Sequence, residues 1–180
     1  MFGLLDPHEN LRSTNPCPAY GPHGTRRPSD PVRGTGPLDA ASDTLPDVER
    51  ILVATDSDAV FAEVDAALGS AECTVERVRT GREVRGAVQS SDPDLVMLDL
   101  QIGAMGGVAA CLDLRLEESG DRLPPQKIVL LLDREADLFL ARRAGADGWL
   151  VKPVDAGRLR RAASAVEVGD VWRELDAAPA

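Results

Sequence analysis

Lysine is almost missing from this chain. Two residues, Lys127 and Lys152, stand against eighteen arginines, and these twenty cations face thirty carboxylates, for a formal net charge of −10. Such a deficit excludes a general binder of phosphate backbones, because nonspecific nucleic-acid affinity comes from cations neutralising phosphates. Cysteine is scarce as well. Cys17, Cys73 and Cys111 lie far apart with no CxxC pair among them, so neither a disulfide framework nor a zinc site is supported. Aromatic residues make up 3% of the chain, which leaves Leu, Val and Ala to fill the core. No apolar run approaches the ~20 residues of a membrane span. The start, "MFGLLDPHENLRS", puts an acid and a proline inside a short apolar stretch and lacks the basic-then-apolar order of a signal peptide. A reduced, cytoplasmic, soluble protein is expected.

Proline is unevenly spread. Residues 1–47 hold eight of the thirteen prolines, in text such as "NPCPAYGPHGTRRPSDPVRGTGP", and show neither a helical nor an alternating apolar period. That segment buries too little apolar surface to offset the entropy of ordering it, so a disordered tail is expected. His8 and His23 fall in it as isolated imidazoles.

From Val48 the pattern changes. "RILVA" reads as a short strand, and "SDAVFAEVDAAL" sets Val60, Phe61, Val64, Ala67 and Leu68 on one helical face, with Ser57 as its N-cap. A weak strand, "CTVERV", precedes a short helix around "GREVRGAVQ"; a buried strand, "DLVML", precedes a helix that ends at Gly120 before "RLPP". "KIVLLL" is a fourth strand, "READLFLARRAG" a helix closing at Gly145, and "GWLVKP" a fifth strand; a last helix runs from near Asp155 to at least Val166. Strands that are apolar throughout, alternating with helices, suit a parallel sheet covered on both faces. With right-handed crossovers the expected fold is α/β: a flavodoxin-like three-layer α/β/α sandwich on a five-stranded parallel sheet of order 2-1-3-4-5. Residues 48–168 form this domain. Residues 169–180 are a C-terminal helix extension or tail, in which Trp172 either prolongs the helix or projects as a docking side chain.

In such a sheet every strand ends on one edge, and that edge is where ligands bind. Strand one ends at "ATDS", strand three at "LDL", strand four at "LLD" and strand five at "VKP", so Asp56, Asp99 and Lys152 converge. Two carboxylates and a backbone carbonyl are hard oxygen ligands suited to Mg²⁺ with several waters retained. Lysine supplies a compact point charge for a phosphoryl oxygen, and a chain so biased toward arginine nonetheless places one immediately before Pro153. Asp99, at the centre of the edge, is the nucleophile expected to form an acyl phosphate.

The text "ILVATDSDAV", "PDLVMLDLQIGAMGG" and "AGADGWLVKP", in that order and spacing, resembles the receiver domain of two-component response regulators over residues 50 to 168. The resemblance implies that Asp99 is the phosphoacceptor, Asp56 a metal ligand, Gln101 the backbone carbonyl ligand and Lys152 the phosphoryl contact, with a cis Lys152–Pro153 bond. It implies Mg²⁺ as cofactor and a histidine kinase as partner. The departures are specific. Thr55 stands where receivers carry a second acid, and a threonine can still hold a metal-bound water. Leu132 takes the place of the hydroxyl that bonds the phosphoryl group, and Asp133 beside it repels phosphate. Gly103 replaces a proline and loosens the loop. Trp149 occupies the switching-aromatic position, either rotating with the state of Asp99 or filling a groove permanently. Arg142, Arg143, Arg158, Arg160 and Arg161 flank that strand, giving a face of Leu132, Trp149, Arg142 and Arg143 for an acidic partner or a homodimer.

The sequence therefore favours a stand-alone receiver, not an enzyme in the usual sense, that takes a phosphoryl group from a histidine kinase onto Asp99 and acts on an unknown downstream protein by contact, without nucleic acid or membrane insertion. Thr55 and Leu132 keep a second class open, a phosphorylation-independent pseudo-receiver serving as an interaction module. A flavin or nucleotide enzyme is disfavoured, because "TDSD" puts carboxylates where a glycine-rich phosphate loop is needed.

Overall fold

The computed structural model describes residues 48–173, so the expected tail at 1–47 and residues 174–180 lie outside the described residues. The described residues hold six strands: β1 (Arg50–Ala54), β2 (Thr74–Val78), β3 (Leu95–Asp99), β4 (Ile128–Leu132), β5 (Gly148–Val151) and β6 (Trp172–Arg173). Between them run α1 (Asp58–Leu68), α2 (Val84–Ser91), α3 (Gly107–Ser119), α4 (Leu138–Ala144) and α5 (Ala156–Glu167). All pairings are parallel, in the order β2-β1-β3-β4-β5-β6. The five-stranded order expected from the sequence is reproduced, with one short strand added beyond β5.

Strand residues alternate between two cores, one on each face of the sheet. Leu52, Ala54, Val96, Leu98, Leu130 and Leu132 meet Val84, Val88, Cys111, Leu114 and Ala141 of α2, α3 and α4. Ile51, Val53, Leu95, Met97, Val129 and Leu131 meet Val64, Leu68, Leu159 and Val166 of α1 and α5. Every residue of β3 and β4 is buried, which is why neither strand shows an alternating pattern. Each large aliphatic side chain so enclosed contributes about 1.5–3 kcal/mol relative to exposure.

The caps follow local chemistry. Ser57 Oγ accepts from the Val60 N–H and Asp155 Oδ1 from the Arg158 N–H, at 3.3 and 3.0 Å, each satisfying an orphan donor of its helix. α4 is shorter than expected: residues Glu135–Asp137 form a single 3-10 turn, and only the seven residues from Leu138 are α-helical before Gly145 closes the helix at φ 74°. At the amino edge of the sheet two carboxylates align strand starts. Asp94 accepts from the Glu49 and Arg50 N–H groups, both at 2.9 Å, and Asp147 from the Ile128 N–H at 2.8 Å.

Trp172 does not prolong α5. It enters β6, where its N–H donates to the Asp147 carbonyl at 3.1 Å, and its half-buried ring packs against the α1/α5 core. The sheet gains an edge strand because that backbone finds the open side of β5.

Candidate functional site

β3 delivers Asp99 to the carboxyl edge of the sheet at 2% exposure. The carboxylate is held from three directions. Thr55, at the end of β1 and wholly buried, donates its hydroxyl to Asp99 Oδ2 at 2.8 Å. Lys152 Nζ lies 2.8 Å from Oδ1, and the Gln101 N–H donates to the same oxygen at 3.2 Å. A carboxylate offers about four lone-pair directions, so these three bonds nearly satisfy it. Burying an ionised carboxylate is costly unless it is paired and hydrogen-bonded; here it is both.

The loop after Asp99 is tied down. Gly107, the first residue of α3, sits so close to β3 that an added Cβ would lie 2.4 Å from the Asp99 carbonyl oxygen. The Gly103 N–H donates to Asp56 Oδ2 at 3.2 Å, the Gly103 carbonyl accepts from Gly81 and Met105, and the Ile102 N–H returns to the Asp99 carbonyl. Gly103 also contributes an N–H that proline lacks, and that N–H ties the loop to Asp56.

Asp56 is exposed at the end of β1. Its carboxylate grips the loop at Gly103 while Asp99 grips it at Gln101. Two residues of chain span at most about 7 Å, so both carboxylates lie against one short segment. Thr55 is committed to the acceptor itself: its buried hydroxyl donates to Asp99 and accepts from the Ser57 N–H at 3.1 Å. No group of three His, Cys, Asp or Glu side chains able to enclose a metal occurs among the described residues.

Lys152 comes from the residue after β5. Its backbone N–H donates to the Leu132 carbonyl at 2.7 Å, which fixes the end of β5 beside the end of β4, and the Lys152–Pro153 bond is cis, as expected. Lys152 Nζ has a second partner that the sequence did not supply, Asp133 Oδ1 at 2.9 Å. Burial works against the ammonium, but the hydrogen bonds to Asp99 and Asp133 outweigh it and raise the lysine above its ordinary pKa. "LLD" ends β4 on the same edge, and the lysine there gives Asp133 a cationic partner.

The docking face read from the sequence is only partly present. Leu132 is wholly buried and Trp149 is 2% exposed, both in the α2/α3/α4 core. Trp149 Nε1 has no hydrogen-bond partner among the described residues. Arg142 lies over the Trp149 ring at 5.4 Å and is exposed with Arg143. Arg158 and Arg160 turn inward instead: Arg158 Nη2 donates to the Val151 carbonyl at 2.6 Å and Arg160 Nε to the Ala67 carbonyl at 2.9 Å. They brace α5 against β5 and α1 rather than line a surface.

Comparison with known proteins supplies the family. The model of the response regulator receiver domain matches residues 51–164. The response regulator MprA of Mycolicibacterium vanbaalenii is 35% identical over 106 residues, 58% of this chain and 44% of that protein, so the chain spans less than half of that relative. Protein PilH of Pseudomonas aeruginosa is 28% identical over 120 residues, 67% of this chain and 98% of PilH. Among solved structures, the chemotaxis response regulator CheY4 of Vibrio cholerae superposes with TM-score 0.57 at 25% identity, over 66% of this chain and 98% of that one. A response regulator from Chloroflexus aurantiacus, at 22% identity and TM-score 0.60, has the same fold over 67% of this chain and 98% of its own. With the matching strand order and the acid–lysine edge, these likenesses place the chain in the response regulator receiver domain family.

Proposed function

We propose that this receiver accepts a phosphoryl group on Asp99 from a histidine kinase and signals by protein contact. The observation that carries the reading is the Lys152 ammonium held 2.8 Å from a buried carboxylate at the carboxyl end of the central strand. In the transfer, an Asp99 oxygen forms a bond to phosphorus while the phosphorus–nitrogen bond of the donor phosphohistidine breaks, the electron pair leaving with the imidazole. Lys152 neutralises one phosphoryl oxygen as a point charge, and Thr55 and the Gln101 N–H orient the acceptor carboxylate.

The donor set fits Mg²⁺. Asp56 and Asp99, gripping one short loop, and the Gln101 carbonyl would hold the ion; hard oxygens, few in number, suit a cation that retains several waters. When bound, it supplies charge neutralisation to the transferring group. PilH is matched over 98% of its length, so a unit of this extent occurs as a whole protein among the relatives. Outward-facing Arg142 and Arg143 suit an acidic partner.

A second reading, a phosphorylation-independent interaction module, is favoured by one observation: buried Leu132 and Trp149 share a core, so no hydroxyl stands at the end of β4 to carry a phosphoryl signal to the aromatic ring. Incubating the protein with Mg²⁺ and acetyl phosphate, and with a histidine kinase, separates the two. The phosphoacceptor reading expects a labelled species that is acid-stable, hydroxylamine-sensitive and absent from Asp99→Asn. No label from either donor gives the second reading.

A further inference from the structure

The acid at the end of β4 has a single cationic partner among the described residues, and that partner is the lysine of the site. Lys152 Nζ lies between Asp99 Oδ1 at 2.8 Å and Asp133 Oδ1 at 2.9 Å. The neighbouring guanidinium does not share the load, since Arg134 turns to Asp137 at 3.4 Å. The arrangement is enforced by the backbone, because the Lys152 N–H to Leu132 carbonyl bond sets Asp133 and Lys152 side by side. The second oxygen of Asp133, Oδ2, is buried and takes no hydrogen bond among the described residues. Asp133 thus sits as an anion with one oxygen on the lysine and one unsatisfied, at the edge where a phosphoryl group would arrive.

We propose that Asp133 is a built-in competitor for Lys152, a negatively charged stand-in for the phosphoryl oxygen that restrains phosphorylation of Asp99. The proposal rests on the reading of Asp99 as phosphoacceptor. An ammonium has three protons to give, and two already point at carboxylates. A phosphoryl group on Asp99 either takes the ammonium from Asp133, leaving that half-buried carboxylate without its cation, or forms with Asp133 still cancelling the lysine's charge. Both routes disfavour the acyl phosphate. The pair is only partly shielded, with side-chain exposures of 18% for Lys152 and 34% for Asp133, so solvent screening weakens the effect without removing it.

The test uses the full chain with Mg²⁺ and acetyl phosphate, whose acyl oxygen–phosphorus bond breaks to release acetate as the Asp99 oxygen–phosphorus bond forms. Removing one like charge at this partly screened distance is expected to speed labelling about tenfold in Asp133→Asn and in Asp133→Ser. Asp133→Glu keeps the charge and is expected to stay slow. The gap between wild type and Asp133→Asn narrows as ionic strength rises, a dependence that a change of packing alone would not show. Label in Asp133→Asn and Asp133→Ser with none in wild type supports the proposal in its strongest form. Equal rates in all four proteins, or Asp133→Glu as fast as Asp133→Asn, overturn it and leave Asp99 as acceptor. Absence of label from every protein, Asp133→Asn included, with acetyl phosphate and with a histidine kinase as donor, removes the acceptor reading and this inference with it.

Discussion

Cys111 lies on α3 in the core, wholly buried, with its thiol donating to the Ala144 carbonyl at 3.4 Å. It behaves as the small core residue the sequence suggested. Burial is the main reason its pKa is pushed from 9.0 up to about 12, with Arg115 opposing and Asp147 and Glu118 reinforcing. The folded state therefore favours the protonated thiol, so its stabilising effect is complete below pH 9 and is lost as pH rises toward 12. Over that interval the loss is about 1.4 kcal/mol per pH unit. Urea unfolding between pH 8 and pH 11 should show wild type losing stability more steeply than Cys111→Ala, although the variant starts lower because of the cavity it leaves. Parallel curves would contradict the buried-thiol account. A single side chain is where the sequence was most and least informative. Lys152 stood out because lysine is rare in this chain, and Asp99 because a charge ended an apolar strand. The Asp133–Lys152 pair is separated by a helix in the sequence, and only the register of β4 against β5 makes it visible.

The main strands were legible because a strand buried on both faces has to be apolar along its length, as Leu95 to Leu98 and Ile128 to Leu132 are. Two residues of strand carry no such signal, which is why β6 was missed. Its docking depends on Gly148 of β5. A Cβ there would stand 3.2 Å from the Trp172 Cβ and 3.1 Å from Val166 Cγ2, closer than side chains normally pack, so glycine admits both the tryptophan and α5. Gly148→Ala is expected to cost about 1–3 kcal/mol through overpacking, and the strand is the element best able to give way. In a Trp149→Phe background, where Trp172 is the remaining tryptophan, the same change should shift emission to the red as the ring leaves the core. An unshifted spectrum with unchanged stability would mean that the edge accommodates the methyl without moving β6. α4 was overextended for a related reason: "READLF" has helical composition, but Asp137 pairs with Arg134 at 3.4 Å in a 3-10 turn, geometry that periodicity does not resolve.

Across the molecule, the two edges of the sheet divide the acidic residues by task. At the amino edge Asp94 and Asp147 accept backbone N–H groups and align strands, while at the carboxyl edge Asp56, Asp99 and Asp133 gather around one lysine and one loop. Three carboxylates against a single ammonium leave that edge short of positive charge, which in a chain of net charge −10 favours a small cation over an organic anion. A ligand that binds only the folded state stabilises it by mass action, adding about 1.4 kcal/mol when present at ten times its Kd. Mg²⁺ should therefore raise the thermal midpoint relative to the chelated protein, by about 2–5 °C at that saturation for a domain of this size. Asp56→Asn should abolish the rise without lowering the midpoint measured in chelator, because Asp56 is exposed and its loop contact accepts a single N–H. Asp133→Asn should retain the rise, since that carboxylate is engaged by Lys152 rather than by the loop. A wild-type midpoint indifferent to Mg²⁺ would detach the acidic edge from metal binding, and a rise that survives Asp56→Asn would move the ion to another part of the surface.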